Sequence, residues 1–187
     1  MPDAPGKGSL LVAAPTLADP NFSRSVIFLL AHDDEGTLGV VLNRPSHVPV
    51  EEIVPGWGGL AAEPSVLFTG GPVQPSAAIC IGRTELPEVA EAAGYAPLVG
   101  RLGTVDLHGD PTDVPVPLVE VRVFTGYAGW GPGQLADEIG SGSWHVLEGH
   151  HQDVLSGDPE GLWSRVLRRQ GGWLAVLARY PSDLSSN

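Results

Sequence analysis

Residues Ser25 to Asn43 constrain the fold more than any other stretch of the chain. Val26-Ile-Phe-Leu-Leu-Ala is apolar at consecutive positions, so a strand there must be covered on both faces. Asp33-Asp34-Glu35-Gly36 then supplies a turn, and Thr37 to Asn43 returns as a second strand. A strand, an acidic glycine-containing turn and a strand in this order predict a β-hairpin. Apolar residues on both faces place it centrally in a sheet.

The remaining elements are predicted around this hairpin. Ser9–Ala13 is a short apolar strand, after a loose tail at 1–7. Asp19-Pro20 opens a turn, since Asp can cap and Pro suits a first helical position. Residues 45–64 are rich in Pro and Gly, with a short helix near Val50–Val54. Further strands are expected at Val66–Thr69, ending in Gly70-Gly71-Pro72, and at Ala77–Gly82 and Leu102–Leu107. Pro87–Ala93 reads as a short helix closed by Gly94, and Asp110–Val114 as a turn or single helical turn.

Leu118–Phe124 is a valine-rich strand that feeds Gly126-Tyr-Ala-Gly-Trp-Gly-Pro-Gly-Gln-Leu-Ala-Asp-Glu-Ile139. We read this as an aromatic, glycine-rich turn. A helix then starts at Pro132, with Leu135 and Ile139 at i, i+4 on one face. Trp144–Leu147 is a short strand. Asp158-Pro159 opens a helix whose stripe is Leu162, Trp163, Val166 and Leu167, stopped by Gly171-Gly172. Trp173–Ala178 fits a final strand or a helical continuation. Roughly eight strands and three to four short helices, with hairpins early and helices late, predict an α+β fold with a mixed sheet. Neither a repeat nor a linker divides residues 1–187, so one domain is expected, with loose ends at 1–7 and 181–187.

Composition excludes more than it identifies. The 25 glycines and 18 prolines are scattered between apolar runs and punctuate turns. Twenty-two acidic residues against 10 basic ones give a net charge of −12, which disfavours contact with a phosphate backbone. Arg165, Arg168 and Arg169 share one helix face, and read as solvated or dipole-complementing charges ahead of an anion or partner site. Cys80 is alone, so no intrachain disulfide can form. Met1 to Lys7 lacks a signal-peptide pattern, and no apolar run reaches the roughly 18 residues of a membrane span. A cytoplasmic protein is expected.

None of the chemical constellations is complete. Gly129-Trp-Gly-Pro-Gly133 lies between a strand and a helix, where phosphate loops sit, but it is neither GxGxxG nor a Walker A loop, and Pro132 removes a donor amide. His145, His150 and His151 with Glu148 and Asp153 are the densest set of potential metal ligands, yet lack any metal-site spacing. They read as an exposed polar loop. His32, beside Asp33 and Asp34, reads as a hydrogen-bonded structural histidine. Cys80 lies in the apolar strand Ala77–Ile81 and reads as an inert buried thiol. Trp57, Trp130, Trp144, Trp163 and Trp173 are expected mostly as core anchors. No GxSxG elbow is present, and no cofactor or metal is expected.

Taken together, several segments resemble the bacterial YqgE/AlgH family. They are Gly8-Ser-Leu-Leu-Val-Ala-Ala-Pro15, Asp19-Pro-Asn-Phe-Ser-Arg-Ser-Val26, His32, Gly39-Val-Val-Leu-Asn-Arg-Pro45, Gly70-Gly-Pro-Val73, Gly126-Tyr-Ala-Gly-Trp130, Gly133-Gln-Leu135, Glu138-Ile139 and Trp144. Their order and spacing span residues 8 to about 175. The resemblance implies a single compact domain with a bent, mixed, partly barrel-like sheet flanked by short helices. It implies no catalytic mechanism, since the family is described as uncharacterised or as transcriptional regulators. The acidic charge and the lack of a helix-turn-helix pattern argue against direct DNA contact. The expected function is a non-enzymatic regulatory or binding protein that recognises a protein partner or small ligand and affects gene expression indirectly. Its groove is expected near Asn43, Gly70, Gly71, Tyr127, Trp130 and Gln134. The alternative is an enzyme of unknown class built on His32, Asn43 and Gln134, or on Cys80.

Overall fold

The computed structural model describes residues 4–182. Parts of both expected tails, residues 1–3 and 183–187, lie outside the described residues. At the N-terminal side, Gly6 and Ser9 bond each other in a turn that leads into β1 (Ser9–Ala13). The hairpin follows as β2 (Val26–Asp33) and β3 (Gly36–Val41), and the Asp33 carboxylate accepts the amides of Glu35 and Gly36 in its turn. β2 lies between β1 and β3, which is the central position its two apolar faces require. Next come β4 (Pro45–Pro49), α1 (Val50–Ile53), β5 (Val66–Thr69), β6 (Val73–Thr84), β7 (Tyr95–Val99) and β8 (Leu102–Val105). β9 (Leu118–Trp130), α2 (Gln134–Gly140), β10 (Trp144–Glu148), α3 (His151–Val154), α4 (Leu162–Gln170) and α5 (Gly172–Leu177) complete the order.

The strands form one ten-stranded sheet, ordered β10-β1-β2-β3-β9-β6-β8-β7, with β4 and β5 alongside. It is antiparallel except where β5 runs parallel to β9, and it curls into a half-barrel. The fold is therefore α+β with a mixed sheet in a single domain. Leu10, Val12, Val26 and Phe28 face a core capped by α4 through Leu162, Trp163, Val166 and Leu167. The alternate residues Leu11, Ala13, Ile27 and Leu29 face a second core under α2, with Trp130, Leu135 and Trp144. A third cluster around Trp57, Tyr95, Val121 and Val123 fills the other end.

β9 overturns the expected turn. The strand does not stop at Phe124 but continues through Gly126-Tyr-Ala-Gly-Trp130. Its partners explain this. One edge pairs with β6, and the other pairs first with β5 at Phe124 and Thr125 and then with β3 at Ala128 to Trp130. Gly126, at φ 70°, breaks the alternation. Phe124 faces the α4 core, whereas Ala128 and Trp130, also even-numbered, face the α2 core. A one-residue shift moves every later side chain to the opposite face.

Other expectations also change. The helix expected over Pro87–Ala93 does not form; Glu88 sits at φ 55°, and Ala92 bridges to Tyr95 across Gly94. A left-handed residue at Glu88 interrupts any right-handed helical run there. β4 lies in the Pro- and Gly-rich 45–64 segment and β7 is not among the expected strands, yet both are short strands paired on one side, a position that tolerates proline. The helix expected from Pro132 starts at Gln134, and Trp173 to Leu177 is helical. The 148–153 segment is not simply an exposed loop. Asp153 is buried, ends α3's first turn by accepting the His150 amide at 2.9 Å, and pairs with Arg169 at 2.8 Å.

Candidate functional site

The site starts from a strained turn. Ser23-Arg24-Ser25 leads into β2, and Arg24 takes φ 55°, a left-handed conformation that non-glycine residues seldom adopt. Asn43, just past β3, holds the turn in place. Its Nδ2 donates to the Arg24 carbonyl at 2.9 Å, and its Oδ1 accepts from the Val26 amide at 3.0 Å. Asn43 is buried, so these bonds consume much of its hydrogen-bonding capacity. The next residue, Arg44, donates to the Ser23 and Asn43 carbonyls. Two turns distant in sequence are thereby tied into one wall.

The opposite wall is α4. The Arg24 guanidinium lies 3.9 Å from the ring centroid of Trp163, and Arg24 also donates to the Tyr180 carbonyl at 3.0 Å. Trp163 is in turn anchored by its indole N–H, which donates to the Ala13 carbonyl at 2.9 Å. Between the walls is an open cavity of about 580 Å3, lined by Arg24, Asn43, Arg44, Thr69, Glu160 and Trp163 among others. Burial lowers the pKa of both Arg24 and Arg44, and among the described residues neither forms an ion pair. Both remain protonated near neutrality, since an arginine pKa begins so high. The cleft therefore carries two partly desolvated positive charges in a chain of net charge −12.

The six expected groove residues are not gathered in one place. Asn43 lines the cleft. Trp130 pairs with Thr37 at the far end of β3, about 20 Å of strand away at ~3.3 Å per residue. There it belongs to an aromatic cluster with Phe22 and Trp144, at ring separations of 6.2 and 6.0 Å. Glu138 accepts the indole N–H of Trp130 at 2.9 Å and that of Trp144 at 2.8 Å, and Gln134 donates to the same carboxylate at 2.9 Å. Burial pushes the Glu138 pKa up, but the three donors outweigh it and hold the carboxyl below its ordinary value. Gln134 also accepts the Gly131 amide at 3.0 Å, and Tyr127 packs against the α4 core.

Gly70 and Gly71 lie between these two regions, where the chain crosses β9. A Cβ on Gly71 would sit 2.1 Å from the Tyr127 carbonyl carbon, and one on Gly70 would sit 2.4 Å from the Gly126 oxygen. Gly70 also donates to the Thr125 carbonyl and accepts the Val41 amide, both at 2.8 Å. Here the glycines permit backbone contact.

The residues of the enzymatic alternative have separate partners. His32 is exposed, with Nδ1 2.7 Å from Thr37 Oγ1. Cys80 is buried, and desolvation pushes its thiol well above the ordinary range. His145 packs edge-on to the exposed Trp173 at 5.1 Å, with its pKa lowered by burial. Of the C-terminal arginines, Arg165 pairs with Asp158 and Arg169 with Asp153. Sequence reasoning did not single out as site residues Arg24, Arg44, Glu160 and Trp163, which line this candidate cleft. Arg24 and Arg44 did stand in motif segments, each beside a strand end in a chain poor in cations, but nothing local showed that they converge.

A curled half-barrel sheet, flanked by short helices and bearing a cationic cleft at one strand end, makes up a small α+β domain. The AlgH-like family model, DUF179, matches residues 10–175. This chain belongs to that family. It is 52 % identical to a UPF0301 protein of Streptomyces avermitilis over 96 % of this chain and 94 % of the relative. It is 50 % identical to a UPF0301 protein of Streptomyces coelicolor, with the same coverage. The fold resembles a Corynebacterium diphtheriae protein at TM-score 0.87 and 35 % identity, covering 95 % of this chain and 94 % of that one. It also resembles the AlgH protein of Pseudomonas aeruginosa at TM-score 0.67 and 26 % identity, with 95 % of each chain covered.

Proposed function

We propose that this protein is a cytoplasmic, non-enzymatic binding module. It takes a small ligand, or a short part of a protein partner, into the cleft between Arg24, Arg44 and Trp163. One observation carries this reading. Three segments remote in sequence, 23–24, 43–45 and 160–164, build one cavity and hold two guanidiniums in it that form no ion pair among the described residues. Elsewhere Arg83, Arg165 and Arg169 each pair with a carboxylate, while the buried Arg122 donates to four carbonyls, from Ala62, Glu63, Val154 and Ser156, and its Nε has no partner among the described residues. Within this reading Asn43 is a positioning residue, Gly70 and Gly71 shape the wall from behind, and the Trp130–Gln134 region holds α2 to the sheet. Any regulatory effect on gene expression runs through the ligand or partner, since the net charge opposes duplex binding.

The test is a small-molecule and partner screen read by amide and indole NMR shifts on the full chain. Binding should move the signals of Ser23, Arg24, Arg44 and the Trp163 indole. Binders that move only signals elsewhere would refute the site.

A further inference from the structure

We infer that the group taken by this cleft is an oxyanion, a phosphate monoester or a carboxylate on a small organic molecule, held between Arg24 and Arg44. The inference rests on the cleft being the binding site and concerns what enters it. A guanidinium has five N–H donors in a planar fork. Arg24 spends Nη1 on the Tyr180 and Pro181 carbonyls, and Arg44 spends Nη1 and Nη2 on the Asn43 and Ser23 carbonyls. These acceptors are neutral and orient both groups, and among the described residues neither group pairs with a carboxylate. Arg83, Arg165 and Arg169, by contrast, each have a carboxylate within 2.9 Å. A partly buried cation without a counter-charge is costly, and an incoming oxyanion recovers that cost through charge-assisted bonds.

The rest of the lining narrows the ligand. Trp163 fixes the plane of the Arg24 guanidinium from one side, so its free edge has a defined direction. Ser23, Thr69 and Ser164 are polar residues on the same walls, the Ser164 hydroxyl donating to the Ala178 carbonyl. Glu160 is the single carboxylate there and is exposed. It repels a second anionic group and accepts from a hydroxyl or amine on the ligand body. A cavity of about 580 Å3 exceeds a bare phosphate, which leaves room for that body. Long polyanions are excluded by the charge of −12 on the whole chain.

The experiment titrates the full-length protein with inorganic phosphate, glycerol phosphate, succinate and glycerol, reading calorimetry and the NMR signals of Arg24, Arg44 and Trp163. Arg24→Gln, Arg44→Gln and Arg44→Lys are compared with Arg168→Gln, an exposed arginine outside the cleft. An oxyanion probe should shift the cleft signals, and its Kd should weaken about tenfold in either glutamine variant. Arg44→Lys should fall between, and Arg168→Gln should match the wild type. Glycerol phosphate binding more tightly than succinate assigns a phosphate, and the reverse a carboxylate. If glycerol shifts the cleft signals while no anion does, the oxyanion inference is overturned and the binding site stands. If anions bind but shift only signals elsewhere, both are overturned. Equal weakening in Arg168→Gln also overturns the inference, because it reports general charge. Urea midpoints confirm that each variant is folded, and Arg44→Lys retains the test if a glutamine variant is not.

Discussion

The Asn43 side-chain amide donates to the carbonyl of Arg24 at 2.9 Å and so holds a left-handed arginine at the edge of the cleft. The other half of the same amide accepts the Val26 N–H, the first residue of β2. Asn43→Ala removes both bonds at a buried position. We expect a loss of about 2–4 kcal/mol in urea unfolding, because two main-chain groups lose their partner. Arg24→Gly should lose far less stability, since glycine accepts the left-handed backbone without strain. Equal losses in the two variants would show that Asn43 does not act through this turn.

Gly71 and Gly140 make a paired test of the β9 crossing. A methyl at Gly71 meets the Tyr127 carbonyl carbon at 2.1 Å, so backbone must move. Gly71→Ala is expected to cost more than about 3 kcal/mol, or to abolish soluble expression. At Gly140 an added Cβ meets nothing within 4 Å, and the residue ends α2. Gly140→Ala should stabilise by roughly 0.5–1 kcal/mol through helix propensity. Thermal denaturation of both proteins decides the matter.

Glu138 predicts a pH effect. Its folded pKa lies below the ordinary value of 4.5 because two indoles and Gln134 donate to the carboxylate. A depressed carboxylate contributes stability that is complete above the unfolded pKa and is lost as pH falls through the folded one. Wild-type stability should therefore fall through this group below pH 4.5. Glu138→Gln should lack that component of the pH dependence and cost about 1–2 kcal/mol at neutral pH, since an amide oxygen cannot serve all three donors as well. Urea midpoints between acid and neutral pH measure both effects.

The Cys80 thiol, buried and raised by desolvation, should be inert in the native protein. A disulfide reagent at pH 8 should react negligibly with the folded chain and stoichiometrically in 6 M guanidinium, because only the thiolate attacks. Prompt native reaction would reopen Cys80 as a nucleophile.

Much of the fold was legible because burial writes itself into local pattern. The doubly apolar Val26–Ala31 run meant a central strand, and β2 is one. Val66–Thr69 and Ser9–Ala13 match their strands to the residue, and the Leu162, Trp163, Val166, Leu167 stripe is the buried face of α4. The prolines of the 45–64 segment hid β4, because a strand paired on one side needs only half of its amides. Of the residues lining the candidate cleft, the sequence singled out Asn43. Gln134 and Trp130 carry a family motif and lie in an indole–carboxylate network at the other end of β3.

By itself the sequence determined the family, the central hairpin, the amphipathic α4 and the charge that opposes nucleic acid. Each follows from residue order over short distances. Only the tertiary structure decided that Gly126–Trp130 is strand, because the partners that satisfy its main chain come from β3, β5 and β6, and because one positive-φ glycine reverses its faces. Only the tertiary structure brought Arg24, Arg44 and Trp163 to one cavity. Sheet closure sets that meeting, and contacts between distant segments leave no period in the chain to read.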